Sequence, residues 1–499
     1  MTMYLRTAAP VVLALVVVTT APYVAAALRP PAGAVFTGTF FYQDDMYQYF
    51  SFVEQAARGE LVFANKFDPW PHRPAVVNVE WWFAGILARI LGGSPVLGFH
   101  ALRVLAIAAM MAGAARLLAA AGASGARLTW ALALFATAGG LGWLRLLMGA
   151  PGSQVPDIVM GLYPFHQSLM NPHFVAATAL FVWTFVFHLE WRAGRRSRWA
   201  WVACAWALGF SRPYDLVTFG LAAFVLAFLP PRKRRPLAAV LELAWIAPVF
   251  GYYALLMRSQ RGLGGWTGVQ SGDLTPPLLE FALALLPALA LAAFFWRRPA
   301  PEDPLGVRIA LAVWAAVVAF IVVAYPSPMV KQFATTLGPA VALLAALLTL
   351  PRVIAVAAVA LCPTSIFLLW RVFHPFPEWF APRDYAEAVR FLDGACGAED
   401  VALAPTDLSL MIAGLTPCHV ALGHRGLTPS WPVAVEAGRR FYDPATPAAW
   451  RWTYLETLGA DYVLLPRGGG ALLGADARAV QRTALPLLEV WQVAPRPPQ

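Results

Sequence analysis

Long apolar segments recur along the chain, and they constrain its fold more than any other feature. Of the 499 residues, 59% are apolar and 13% are charged, a balance typical of membrane proteins with many helices. A helix needs roughly 20 apolar residues to cross a bilayer, and the sequence predicts about eleven such spans. They lie near residues 8–28, 95–121, 128–148, 172–190, 199–211, 214–229, 236–256, 276–296, 306–325, 332–350 and 353–373.

Two of these segments, 199–211 and 214–229, are each too short to cross the membrane alone. We interpret them as a bent pair of helices that turns at Ser211-Arg212-Pro213, because proline interrupts the helical hydrogen-bond ladder. The first segment is interpreted as an uncleaved span, with a cleaved signal peptide as the alternative.

Basic clusters follow three of the predicted spans and indicate the orientation. Cytoplasmic loops carry an excess of Lys and Arg, and about eleven spans with an internal N-terminus place all three clusters in the cytoplasm. The net charge of +10 is therefore attributed to membrane topology, and no nucleic acid partner is expected. We expect a multi-pass protein of a bacterial inner (plasma) membrane with a cytoplasmic N-terminus. The clusters lie at Arg192–Arg198, Arg232–Arg235 and Arg297–Arg298.

The predicted fold is an α-helical polytopic membrane domain at 1–374 followed by a small extracytoplasmic α/β domain at 375–499. The first domain includes a long outer loop at 29–94. Within that loop, the apolar stretch 79–92 would reverse the side of every later loop if it crossed the membrane. We therefore interpret it as an interfacial or re-entrant helix, although a crossing stays an alternative.

The C-terminal region has shorter apolar runs, in which strand patterns alternate with helix patterns. Cys396 and Cys418 both lie in this region and are candidates for a disulfide in an oxidising compartment. The helices are predicted at Asp384–Leu392 and Ala448–Leu458, and the strands at Val401–Ala404, His419–Leu422, Tyr462–Leu465 and Leu488–Val493.

The stretch from Phe40 to Phe50 places two acidic residues side by side just beyond the first span. Asp44 and Asp45 open a helical pattern that extends to Arg58. Neighbouring carboxylates raise each other's pKa, so one can act as a base while the other orients it or holds a cation. A structural alternative stays open, because an aspartate at the start of a helix also caps it.

Polar side chains near the outer ends of the predicted spans form a second group of candidates. Such residues are costly at membrane depth and are often functional. These side chains are predicted to lie toward the same side of the membrane as the acidic pair. There, cations would hold a phosphate group, and a groove between spans would take a lipid tail. As alternatives, Arg212 could neutralise Asp215, His173 could cap or pack, and Lys331 could extend to headgroups. The candidates are Arg103, His166, His173, Arg212, Tyr214 and Lys331.

The segment FFYQDDMYQYFSFVEQAARGE resembles the paired acidic motif of the GT-C superfamily of membrane glycosyltransferases. Protein O-mannosyltransferases and the lipid A aminoarabinose transferase are of this type. The resemblance extends to the Pro69–Pro74 stretch, to the helix containing Gly85, and to Lys331 after a Tyr-Pro in a late outer loop. Relatives often carry Asp-Glu at the acidic pair, and arginine where this chain has Lys331.

This resemblance implies transfer of a sugar from a polyprenyl-phosphate donor to a hydroxyl of a glycan, lipid or protein acceptor, with inversion. Asp44 would be the catalytic base. Asp45 would assist it or hold a divalent cation, Mg²⁺ or Mn²⁺, which some relatives need and others do not. The basic residues would bind the donor phosphate, and the outer domain would help to choose the acceptor.

Two other functions stay open. A transporter or flippase of lipid-linked sugars would use the same groove and cations. It would carry its acids within spans, however, and would favour an inverted repeat, which is not evident in this sequence. A non-catalytic envelope assembly protein would act through its outer domain and would keep its activity after Asp44→Asn and Asp45→Asn.

Overall fold

The structure is a computed structural model. In it, contacts between residues divide the chain into two units. The described residues are 2–229, 236–259, 276–296, 303–324, 330–349, 353–374, 376–474 and 478–494. The first unit comprises Met1–Val24, His100–Ala254 and Ser271–Pro375. The second unit comprises Ala25–Phe99, Leu255–Gln270 and Phe376–Gln499.

Membrane-length helices dominate the chain. Within the described residues, seven helices are long and apolar enough to cross a membrane. An eighth is added if the pair Ile354–Leu361 and Pro363–Val372, bent by 48°, forms one span. A multi-pass helical membrane protein is thus confirmed, whereas the count of eleven spans stays a prediction. The seven are Tyr4–Leu28, Pro95–Ala120, Gly125–Leu147, Pro172–Arg192, Pro236–Arg258, Leu278–Phe295 and Val307–Ala324.

Shorter helices complete the described part of the first unit. The chain breaks at Arg212 between two of them, as the proline at 213 predicts. Gly125–Leu147 consists of helices Gly125–Thr137 and Gly142–Leu147, and Pro236–Leu243 is followed by Ala247–Ser259. The basic clusters at 232–235 and 297–298 lie outside the described residues. The shorter helices are Pro156–Val159, Pro164–Met170, Arg198–Ser211, Pro213–Ala227, Val330–Ala334 and Leu337–Leu348, with 3-10 turns at Gly152–Gln154 and Ala244–Ile246.

The helix Leu337–Leu348 is the centre of the first unit. All of its residues are buried, as expected of a helix with no polar face. It packs against Leu278–Phe295, Val307–Ala324 and Gly125–Thr137. A Cβ atom at Gly338 would lie 1.9 Å from the backbone oxygen of Leu162, so a residue without a side chain permits this close packing.

A short strand pair joins two distant parts of the second unit. Strand β1 (Ala34–Phe36) pairs antiparallel with strand β2 (Phe380–Pro382). The loop after the first helix therefore shares a unit with the C-terminal region, whereas the predicted division grouped 29–94 with residues 1–374. Strands of three residues give no periodic signal, so this pairing is not evident in the sequence.

A five-stranded sheet forms the rest of the strand structure described in the second unit, in the order β4-β3-β5-β7-β6. Strand β3 pairs in parallel with β4 and β5, and β7 pairs antiparallel with β5 and β6. Trp452 and Leu455 pack with Phe441 and Val463 in its core. The strands are β3 (Val401–Leu403), β4 (His419–Val420), β5 (Tyr462–Pro466), β6 (Ala479–Ala484) and β7 (Leu488–Val493).

The helices of the second unit include both that were predicted in the C-terminal region. Thr406–Leu415 and Trp431–Tyr442 were not predicted, and the first of these is buried along most of its length. A helix buried on all sides lacks the amphipathic period that reveals a surface helix. Cys396 and Cys418 form a disulfide. The helices are Gln43–Arg58, Val79–Ile90, Arg383–Ala395, Thr406–Leu415, Trp431–Tyr442 and Ala448–Leu458, with 3-10 turns at Pro377–Trp379 and Gly469–Leu473.

Candidate active site

The acidic pair lies in the first turn of the helix Gln43–Arg58, in the second unit. The N-cap residue is Tyr42, which makes no side-chain capping bond and has a left-handed backbone with φ 44°. Neither aspartate is therefore the N-cap residue. A non-glycine residue at positive φ is uncommon and strained, and such strain concentrates at functional sites. Negative charge in a first turn is also stabilised by the helix dipole.

The segment before this helix is fixed by the C-terminal region. Thr37 donates its hydroxyl to the backbone oxygen of Trp379 at 2.9 Å, and its backbone N–H donates to the same oxygen at 3.0 Å. The Gln43 amide donates to the backbone oxygen of Glu378 and to the Thr37 hydroxyl. The Phe40 and Trp379 rings pack edge to face, with centroids 4.7 Å apart. These contacts set the position at which the helix begins.

Two glycines let neighbouring helices approach the helix that carries the pair. A Cβ atom at Gly414 would lie 2.7 Å from Cδ1 of Tyr47, and one at Gly85 would lie 2.3 Å from Cβ of Ala56. Tyr47 is buried and its hydroxyl donates to the backbone oxygen of Thr37 at 3.4 Å. The first turn is thus held on a closely packed base, which limits the positions open to both carboxylates.

His424 is a site residue that the sequence analysis missed. Its Nε2 lies 3.5 Å from Oδ1 of Asp45, and its ring is buried while Asp45 is about half exposed. The backbone N–H of Gly426 donates to His424 Nδ1 at 3.0 Å. Since Nδ1 accepts this hydrogen bond, the neutral imidazole carries its proton on Nε2. His424 thus presents an N–H group to the Asp45 carboxylate.

The His424 loop is anchored on the segment after the acidic helix. The backbone N–H of Val420 donates to the oxygen of Lys66 at 2.8 Å, and the Asn65 amide donates to the oxygen of Leu427 at 2.9 Å. One turn beyond His424, the Thr428 hydroxyl is buried and has no hydrogen-bond partner among the described residues. A buried hydroxyl without a partner is costly to the folded state.

The two aspartates have different electrostatic surroundings. Desolvation by the surrounding protein raises the pKa of Asp44, and the adjacent charge of Asp45 raises it further. His424, the backbone N–H of Asp44 itself and Arg425 oppose this rise. Asp44 is exposed at the surface, so solvent screens part of the effect. A carboxylate with a raised pKa is a better proton acceptor.

In the first unit, Arg103 and His166 lie in one region. The Arg103 side chain is fully buried and donates to the backbone oxygens of Ser168 at 2.8 Å and Thr19 at 3.1 Å. Its guanidinium lies 4.6 Å from the centroid of the Tyr23 ring. His166 lies in the Pro164–Met170 helix, which also contains Ser168, and is buried.

Arg212, Tyr214 and His173 lie in a second region of the same unit. Arg212 Nε is 3.5 Å from Oδ2 of Asp215, and both side chains are buried, which supports the alternative that they neutralise each other. Arg212 also donates to the Gln332 oxygen at 2.8 Å and lies over the Phe174 ring, next to His173.

The same region includes the helix that carries the predicted phosphate ligand Lys331. The Tyr214 ring packs edge to face on Phe333, with centroids 5.5 Å apart. Lys331 belongs to the Val330–Ala334 helix, but its side chain lies outside the described part of the chain. The His173 ring contacts that of Phe174, and the helix it opens is capped by Asn171, which accepts from the Phe174 N–H at 3.2 Å. A cavity shared by these residues and Asp44 stays a prediction.

A metal site was left open by the sequence, with Asp45 as its predicted ligand. Among the described residues, no group of three or more His, Cys, Asp or Glu side chains could hold a metal ion. We derive no reaction step through a metal.

Solved structures show which fold the chain has. Arabinofuranosyltransferase AftD from Mycobacteria, a mutant studied by cryo-EM, gives a TM-score of 0.54 at 15% identity over 99% of this chain and 42% of that one. The oligosaccharyltransferase of Archaeoglobus fulgidus, solved with Zn and sulfate, gives a TM-score of 0.50 at 12% identity over 91% and 68%. This chain has the GT-C fold. At such identities the likeness shows the fold alone.

Another GT-C structure is ArnT from Cupriavidus metallidurans, bound to undecaprenyl phosphate. It gives a TM-score of 0.49 at 13% identity over 96% of this chain and 97% of that one. A scan with protein-family models finds no match, and a search of the curated proteins finds no significant one.

Proposed function

We propose that the chain is an integral membrane glycosyltransferase. It transfers a sugar from a polyprenyl-phosphate donor to an acceptor hydroxyl on the outer side of the membrane, by a single inverting displacement. The observation that carries this proposal is the Asp44–Asp45 pair in the first turn of a rigidly packed helix, with the N–H of His424 facing Asp45. The GT-C fold, which mycobacterial AftD also has, supports the same class of activity.

Asp44 is the proposed base. Its raised pKa suits it to accept a proton from the acceptor hydroxyl. Asp45, whose Oδ1 lies 3.5 Å from Nε2 of His424, assists Asp44 in this role. Two adjacent carboxylates thus take different roles because their surroundings differ.

One base is enough to account for the bonds and the proton of this reaction. The acceptor oxygen forms a bond to the anomeric carbon of the donor as the bond from that carbon to the phosphate oxygen breaks. The electron pair of the broken bond leaves with the polyprenyl phosphate, and the hydroxyl proton passes to Asp44. Attack opposite the leaving group inverts the anomeric carbon. Phosphate leaves without protonation, so a general acid is not required.

The basic and aromatic candidates of the first unit would bind the donor. Arginine and lysine hold phosphate through charge-assisted hydrogen bonds, and apolar helices would accept the polyprenyl tail. Arg103 and Arg212 are held by backbone oxygens, so their positions are fixed before the donor binds. We assign this role to Lys331, Arg212, His173, Arg103, His166 and Tyr214.

The membrane arrangement belongs to the same proposal. About eleven spans with a cytoplasmic N-terminus would place the second unit outside a bacterial plasma membrane. The Cys396–Cys418 disulfide supports an oxidising compartment for that unit. The helix Val79–Ile90, twelve residues long, is shorter than a span, which supports an interfacial position.

Mass spectrometry of the lipids that co-purify with the protein tests the donor class. We expect a polyprenyl phosphate carrying one sugar, enriched in Asp44→Asn because that variant binds the donor but does not turn it over. A preparation that contains only phospholipids in both proteins would contradict the proposed donor. A flippase would show no such enrichment, and its transport would survive the substitution.

A further inference from the structure

A polar cleft lies within the second unit, apart from the aspartate pair. Its volume is about 110 Å³, and its walls come from residues 54–74 and from residues 398–419. Trp70 lies in its wall with 46% of its surface exposed. An exposed tryptophan in a concave polar site offers a large flat face to a ligand.

Several charges in the cleft are already paired with one another. Lys66 Nζ lies 2.7 Å from Oε2 of Glu54, and both side chains are buried. Arg58, four residues further along the same helix, also pairs with Glu54 through its Nε. Lys66 donates a further hydrogen bond to the backbone oxygen of Thr416 at 2.5 Å. These pairs shape the wall of the cleft and offset the positive charge of Lys66 and Arg58.

Three other groups of the cleft offer hydrogen-bond acceptors. His419 Nδ1 lies 2.9 Å from the backbone oxygen of Asp68, so it donates its proton there and leaves Nε2 as an acceptor. Burial lowers the pKa of His419, which favours this neutral form. The carboxylates of Glu60 and Glu399 also line the cleft, and no hydrogen bond or ion pair occupies either of them among the described residues.

This combination determines the chemistry of the ligand. These acceptors and the indole N–H of Trp70 suit a ligand rich in O–H groups, which can both donate and accept hydrogen bonds. Among the described residues of the cleft, Lys66 and Arg58 are paired with Glu54, so the carboxylates of Glu60 and Glu399 disfavour a polyanion, such as a nucleic acid or a diphosphate. An aromatic face combined with planar acceptors suits a pyranose or furanose, whose C–H faces pack on the ring while its hydroxyls donate to the carboxylates.

We infer that this cleft is a saccharide-binding subsite that holds the acceptor, which makes the acceptor of the proposed glycosyltransferase a glycan. This inference rests on the proposed function in one respect, namely that the saccharide bound in the cleft is the acceptor. Glu54 follows Asp44 by ten residues on one helix, so the cleft begins about 15 Å from the base. That distance exceeds one monosaccharide, so the cleft binds sugar units remote from the reacting hydroxyl.

Binding to a glycan array tests the inference with the full chain in detergent. The array carries neutral and amino-sugar oligosaccharides of increasing length. We expect binding to longer oligosaccharides, weakened at least tenfold in Trp70→Ala. Trp431→Ala, at a partly exposed tryptophan outside the cleft, is the matched control and should bind as the wild type does. Glu399→Gln removes an exposed acceptor charge without burying a new group and should weaken binding several-fold.

The result separates this inference from the proposed function. Asp44→Asn should bind the array as the wild type does, because the base does not contact the cleft. If Asp44→Asn abolishes transfer but no oligosaccharide binds, the activity stands and the subsite is wrong. Equal loss of binding in Trp70→Ala and Trp431→Ala, or preferential binding of a cationic peptide, would also overturn it.

Discussion

The Nε2 atom of His424 lies 3.5 Å from Oδ1 of Asp45, and this contact links the first turn of the acidic helix to a loop of the C-terminal region. The Gly426 N–H determines the tautomer of the imidazole. Asp45 therefore lies beside an N–H group, and desolvation together with the charge of Asp45 raises the pKa of Asp44. On these observations we propose Asp44 as the base of the pair.

Replacing His424 tests whether its N–H positions Asp45. His424→Phe removes the N–H group that lies 3.5 Å from Oδ1 of Asp45, and we expect transfer to slow by about 10-fold. His424→Gln keeps an N–H near the position of Nε2 and should retain most of the rate. Both variants remove the Nδ1 atom that accepts the hydrogen bond from the Gly426 N–H, so this loss is the same in both. Steady-state kinetics that show equal losses in the two would assign His424 a structural role only.

The pH dependence of transfer tests the coupling of the two aspartates. Asp44 acts as a base only when it is deprotonated, so the rate falls as the pH falls through its raised pKa. Asp45→Asn removes a negative charge that raises this pKa, while desolvation remains. The acidic limb of the pH–rate profile should therefore move to lower pH.

Glu436→Gln, at an exposed acid in the same unit, is the control for that profile and should leave it unchanged. An acidic limb that stays in place in Asp45→Asn, or moves to higher pH, would show that Asp45 does not act on the base.

The close packing of Gly414 on Tyr47 predicts a large cost for adding a methyl group. Gly414→Ala should lower the free energy of unfolding by about 1–3 kcal/mol, because overpacking forces the two helices apart. Gly394→Ala is the matched control, since a Cβ atom there would meet nothing within 4 Å. It lies in the helix Arg383–Ala395 and should be neutral or slightly stabilising. Thermal unfolding measures both, and equal melting temperatures would refute the packing argument.

The disulfide predicts a defined alkylation pattern. The chain has 4 cysteines, of which Cys204 and Cys362 are free. In denaturant without reductant, alkylation should add two labels, and after reduction four. Removing the bridge with Cys396→Ser and Cys418→Ser should cost about 3 kcal/mol, given their sequence separation of 22. Four labels without reductant would contradict the bridge.

The sequence predicts features that have a strong local signal. Apolar runs of membrane length identify the long helices because burial in lipid requires them. The break at Arg212 is evident because proline cannot continue the helix. The acidic pair is visible as two adjacent charges after an apolar span, and the helix it opens was predicted to end at Arg58, where it does.

Features that depend on distant pairing were not predictable. The contact between His424 and Asp45 joins loops that only the folded chain brings together, and a single histidine in Gly-His-Arg-Gly has no motif spacing. Strand β1 has three residues, too few for a period. The Thr406–Leu415 helix is buried on nearly every side, so it lacks a polar face that would mark it.

The central claim is that Asp44 is the base, and the rate of sugar transfer by the Asp44→Asn variant tests it most directly. The measurement uses the purified protein in liposomes, with the polyprenyl-phosphate sugar found by lipid mass spectrometry and an array-positive oligosaccharide or a membrane extract as acceptor. We predict a loss of about 10²–10⁴-fold, the contribution of a general base, with donor binding and melting temperature unchanged. Turnover at the wild-type rate would contradict the assignment of Asp44 as the base.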